Sequence, residues 1–253
     1  MDPYKLERYL AEFLQVSAYQ DHSPNKMFVE GGRPLKRGIT GVSLNLPLIE
    51  AAVKRKADFI IVHHPHGFWN EDPKLPIGSL AIKLRLLIQN GISVYGYHLP
   101  LDGHPTLGNN ALLADAIGLR ERSGFLKSGT AFVGCYGLLS SPVSVTTMLE
   151  RISKTIAPPL FHFAGGGENV QKIAICSGGA PNSVQELLGE PGVDLYLTGE
   201  ARESTQQLAL EEKFHFIACG HHVTERFGVR ALGIHLQKEF GLQIEFVDIP
   251  NPV

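Results

Sequence analysis

Apolar runs too short to be helices recur along this chain, separated by longer segments with apolar residues at helical spacing. Phe59-Ile60-Ile61-Val62 is such a run, and Leu6, Tyr9, Leu10, Phe13 and Leu14 form such a helical face. Continuous short runs suit strands buried on both faces, and their alternation with helices predicts an α/β fold of two subdomains with mixed sheets. Strands are expected near Ile39–Leu44, Phe59–Val62, Ile92–Tyr97 and Ala131–Leu138, then near Lys172–Cys176, Leu195–Thr198, Phe214–Cys219 and Leu242–Val247. Helices are expected near Tyr4–Leu14, Pro47–Lys56, Ser79–Gln89 and Asn109–Ile117, then near Val145–Thr155, Asn182–Leu188, Glu203–Glu211 and Thr224–Phe240. A loop with Pro65, Trp69 and Pro73 precedes the helix at Ser79. The polar stretch Arg122–Thr130, with Gly124 and Gly129, predicts a boundary between subdomains 1–125 and 126–253, residues 221–253 being able to pack back on the first.

The chain has 253 residues, enough for a hydrophobic core without disulfides. A net charge of −2 gives no electrostatic footprint for nucleic acid, and no run nears the roughly 18 apolar residues of a membrane span. Neither partner is expected. Cys135, Cys176 and Cys219 form no C-x-x-C pair and sit in apolar runs, which points to buried thiols in a reducing, cytoplasmic setting.

Three segments carry chemistry, and each follows an apolar run, where α/β proteins present ligand-binding groups. The first is His63-His64-Pro65-His66. Successive strand residues point to opposite faces, so His63 and His64 converge only where the strand bends. The second, His98-Leu99-Pro100-Leu101-Asp102, offers a carboxylate able to bridge cations, although Asp102 before Gly103 is also an ordinary turn residue. The third, Gly220-His221-His222-Val223-Thr224-Glu225, places His221 and Glu225 one helical turn apart. Taken singly, hydrogen-bonded strand ends and a surface His–Glu pair explain these residues as well as a metal does. Together they supply imidazoles and carboxylates suited to Zn, Mn, Fe, Co or Ni rather than Ca. Five or six donors with shared carboxylates suit two divalent ions roughly 3.5–4 Å apart. His63, His64, Asp102, His221 and Glu225 are the expected ligands. Cys176-Ser177-Gly178-Gly179-Ala180 is either a tight turn or an anion cradle ahead of the helix near Asn182, and Glu200, closing Leu197-Thr198-Gly199-Glu200, is a candidate either to support a ligand from behind or to contact substrate.

The ordered set V-H-H-P-x-x-F-W from Val62, Y-H-L-P-L-D from Tyr97, L-G-N-N from Leu107, L-T-G-E from Leu197 and G-H-H-x-T-E-R-F-G-V from Gly220 resembles the Nif-three-like dinuclear metal-centre family. Its members are often named homologues of GTP cyclohydrolase 1 type 2, and the resemblance spans nearly the whole chain. It implies metal binding by the same five residues, a crevice between the subdomains as the site, and a ring-shaped homohexamer. His98 lies within a shared motif, and His222 stands where relatives often have tyrosine. The activity implied is metal-dependent hydrolysis of a nucleotide-like substrate, for GTP the opening of the purine imidazole ring with release of formate, His98 and His222 carrying protons. A non-enzymatic metal-binding, metal-handling or regulatory protein would use the same ligands.

Overall fold

The computed structural model describes every residue except 33, 71, 73, 74, 190 and 191; Pro73, assigned above to the loop before Ser79, lies outside the described residues. The chain divides into two compact units, Met1–Leu101 with Gly228–Ile249 and Asp102–Phe227 with Pro250–Val253. Both are α/β.

The first unit holds α1 (Pro3–Phe13), β1 (Met27–Val29), β2 (Arg37–Ser43), α2 (Leu46–Lys54), β3 (Phe59–His64), α3 (Gly78–Gln89) and β4 (Ser93–Gly96). Caps fix the helix starts. Asp2 accepts from the Lys5 N–H at 2.9 Å ahead of Pro3, and Asn45 accepts from the Leu48 N–H at 2.9 Å. β3 is buried along its whole length, which is why its sequence shows no alternation. It lies parallel to β2 on one side and β4 on the other, pairing Ile60 with Ile39 and with Val94. The short β1, which no sequence pattern announces, adds antiparallel to β4. Ile39, Leu48, Ile60, Val62, Leu87 and Val94 belong to one buried cluster.

The chain leaves this unit in α4 (Leu99–Asp102) and builds α5 (Asn109–Ile117), β5 (Arg120–Ser128), β6 (Ala131–Ser144), α6 (Val145–Thr155), β7 (Phe161–Ala164), β8 (Asn169–Ile175), β9 (Leu195–Thr198), α7 (Glu203–Glu212), β10 (His215–Ala218) and α8 (His221–Thr224). It then returns through α9 (Arg226–Phe240) to β11 (Gln243–Phe246), which pairs parallel with β2. The second sheet runs β5-β6-β8-β9-β10-β7, with β8, β9 and β10 parallel and its outer pairs antiparallel.

Three expectations are corrected. The stretch Arg122–Thr130 is no linker: most of it is the edge strand β5, paired with β6 and solvated on its outer residues, and the units divide at Leu101/Asp102 instead of at residue 125. An exposed edge strand carries polar residues for the same reason a linker does, so composition could not separate them. The segment after Ala180 is 3₁₀, Pro181–Gly189, and not an α-helix. The helix expected to begin at Thr224 begins at Arg226 as α9, because Glu225, with φ of −108° and ψ of 3°, leaves the α region and separates it from the one-turn α8.

Candidate metal centre

In the first unit, parallel pairing brings together imidazoles that are distant in sequence. Val62 pairs with Gly96, so the end of β3 runs beside Tyr97 and His98. The His63 ring centroid lies 4.7 Å from that of His64 and 5.0 Å from that of His98. One nitrogen from each of the three falls within 4.8 Å of the others. His63 is fully buried and His64 nearly so.

Each ring is held from behind. His63 Nδ1–H donates to the Tyr97 carbonyl at 3.0 Å, and His98 Nδ1–H donates to Asp21 at 3.0 Å. His64 Nδ1 meets Ser43 Oγ at 3.2 Å, its register partner on β2. A carbonyl or carboxylate can only accept, so His63 and His98 carry a proton on Nδ1, which leaves Nε2 as the nitrogen that could ligate. Asp21 escaped the sequence reading because nothing around it forms a motif. Burial would push its carboxyl up, but His98, the Asn25 amide and the Ser23 N–H hold it well below the usual carboxylate range. It also accepts from the Leu99 N–H at 2.9 Å, which fixes the backbone after β4. Lys83 does comparable work beyond β3. Its buried ammonium, pushed down in pKa by burial, donates to the carbonyls of Leu44 at 2.8 Å and His66 at 3.0 Å.

In the second unit, Asp102 is 4% exposed, and one of its oxygens accepts from Asn109 Nδ2 at 2.8 Å and from Ser177 Oγ at 2.9 Å. The adjoining turn leads to the other donors. Gly178 N–H donates to Thr224 Oγ1 at 2.9 Å, and α8 sets His221 against Glu225, Nε2 to Oε2 being 3.2 Å. Glu200 accepts from His221 Nδ1–H at 2.5 Å, a contact that orients the histidine ring. Ser177 N–H donates to Asn110 Oδ1 at 2.7 Å. Two N–H groups of the supposed anion cradle are thus committed within the protein, and that expectation is withdrawn. His222 is buried, with its backbone N–H on the Val253 carbonyl.

The donor chemistry suits divalent metals. His63, His98 and His221 are all anchored at Nδ1 by oxygen acceptors, the arrangement that orients metal-binding imidazoles through Nε2. Thiols do not compete. Burial pushes Cys135 up to about 11 and Cys219 up to about 12, and Cys176 well above its ordinary value.

His221 gives a pH-dependent expectation. Burial alone would lower its pKa, but Glu225 and then Glu200 raise it to about 9. A folded-state value above the unfolded value of about 6.5 makes the contribution to stability full below that pH and lost as pH rises through 9. In metal-stripped protein, the His221 ring resonances are expected to titrate near pH 9. A midpoint near 6.5 would mean the two carboxylates do not hold the ring.

The Duf34/NIF3 (NGG1p interacting factor 3) family model matches residues 1–252. A Yersinia pestis protein named GTP cyclohydrolase 1 type 2 homolog is 40% identical over 249 residues, covering 98% of each chain. Among solved structures, a structural-genomics protein of unknown function superposes with a TM-score of 0.92 at 37% identity, covering 100% of both chains. A protein from Thermus thermophilus does so with a TM-score of 0.89 at 32% identity, again over 100% of both. Among the described residues no helix is long and apolar enough to cross a membrane. The whole-length match agrees with the motifs from Val62 to Val229, and this chain belongs to the Duf34/NIF3 family.

Proposed function

We propose that the chain binds two divalent metal ions through His63, His64, Asp102, His221 and Glu225 and hydrolyses a nucleotide-like substrate. The observation that carries the reading is the anchoring of the proposed ligands His63 and His221 at Nδ1 by Tyr97 and Glu200. A side chain kept only for solubility needs no such backing, whereas a metal ligand gains affinity from it. The name of the Yersinia pestis relative supports GTP as the first substrate to try.

Bound divalent ions supply Lewis acidity and lower the pKa of water. The chain's own residues then do the rest. Asp102 and Glu225 bring negative charge that offsets repulsion between the ions. His98, with its proton on Nδ1 held by Asp21, accepts or returns a proton at Nε2, and His222 is a second candidate carrier. The ring-shaped homohexamer and the two-ion stoichiometry belong to the same proposal.

The test is metal analysis of protein purified without chelator, followed by a nucleotide screen with formate and phosphate release followed separately. Two ions per chain and formate release from GTP are expected. Unchanged metal content in His64→Ala and Glu225→Ala would remove the ligand assignment. Two ions with no turnover of any nucleotide would leave metal handling as the function.

A further inference from the structure

Apart from the donor groups, the second unit contains a cavity of about 280 Å³ formed by the loop after Asp102, the start of α5 and the β5–β6 hairpin. Pro105, Ala111, Phe132, Arg122, Ser123 and Asp102 are among the residues that line it. Phe132 is 46% exposed despite being a large apolar side chain. A Cβ on Gly124 would overlap its ring, so the ring occupies the space above a strand position that has no side chain. An aromatic surface is thereby offered to the cavity.

The charge around it limits what can enter. Arg122 is the cation of the lining, and it is already committed, donating to the Ala111 carbonyl at 2.7 Å and pairing with Asp115 at 3.1 Å. His104 accepts from the Leu107 N–H through Nδ1 at 3.3 Å, which fixes it as the neutral tautomer protonated at Nε2. Asp102 remains as a buried carboxylate. Within the cavity itself a phosphate would find its one lining arginine already engaged by the protein. The volume, just under the range of about 300–1,000 Å³ typical of ligand pockets, suits one ring system and not a whole nucleotide.

We propose that this cavity seats the neutral heterocyclic base of the substrate, stacked against Phe132 with a ring edge toward Asp102, the sugar and phosphates remaining outside. The inference rests on the function proposed above, because it sets the reacting ring beside a carboxylate assigned there to metal. It adds Phe132 as a binding residue and the base, in place of the phosphates, as the recognised group.

The test is calorimetric titration with guanosine, with inorganic phosphate and ribose 5-phosphate as controls, on wild type, Phe132→Ala and Ser123→Trp. Both substitutions fall on exposed strand positions, and metal content and unfolding midpoint are measured alongside. Guanosine is expected to bind wild type while the controls do not. Phe132→Ala should weaken binding about tenfold, the scale of a lost base–aromatic stack, and Ser123→Trp, which fills the mouth, should abolish it. Equal guanosine affinity in all three proteins, or binding of phosphate in its place, would overturn the proposal. The two readings fail separately. Two ions per chain with no guanosine binding sinks the cavity alone, whereas Phe132-dependent guanosine binding without metal sinks the metal centre alone.

Discussion

Asp102→Asn is expected to lower metal affinity by at least about a hundredfold while the metal-free protein keeps its stability. Loss of a residue that merely supports a ligand already costs about 10- to 100-fold, and here the ligand's own charge is removed. The substitution keeps the shape of the side chain. Its amide oxygen can still accept from Asn109 and Ser177, so neither of those donors is stranded. Asp102→Ala would strand both and cost roughly 1–3 kcal/mol on that account alone. Without metal, exchanging a buried carboxylate for a neutral amide removes a desolvation cost. With metal, the wild type gains stability by mass action and the variant does not. The measurement is the unfolding midpoint of both proteins with and without added metal, together with metal content. An equal metal-induced rise in both would show that Asp102 is no ligand.

Gly178→Ala is the second large effect. Gly178 has φ of +66°, and a Cβ there would overlap Glu225 Oε1 and approach His221 Nε2 to 3.0 Å. Gly241 provides the control, with the same φ of +66° and no atom within 4 Å of its Cβ position. A left-handed conformation costs alanine about 1–2 kcal/mol at either site. Gly178→Ala should cost a further 1–3 kcal/mol or so, the usual scale of overpacking, and should disturb the His221–Glu225 pair. Denaturant unfolding of both variants decides it. Equal losses would mean that the turn yields and that Gly178 is not needed for the position of Glu225.

The strand ends that carry the candidate ligands were legible because runs buried on both faces are hard to mistake. Phe59–Val62 and Phe214–Cys219 announced the ends of β3 and β10, and with them His63, His64 and His221. The His221–Glu225 spacing likewise gave their proximity, although the intervening helix is only one turn long. What held those residues was not legible. Asp21 contacts His98 from 77 positions away, and Ser177 contacts Asp102 from 75. Such partners are single polar residues in loops, where no periodicity marks them.

Boundaries failed for a related reason. The polar composition of Arg122–Thr130 reflects exposure, and a solvated edge strand and a linker are exposed alike; only pairing with β6 tells them apart. The sequence by itself determined the α/β class, the strand ends and the residue types gathered there, because burial and periodicity are local properties of side chains. Tertiary structure alone decided which oxygen backs each imidazole, and hence which nitrogen could ligate. That choice depends on hydrogen bonds between segments that only parallel strand pairing and the turn at Ser177-Gly178 bring within reach.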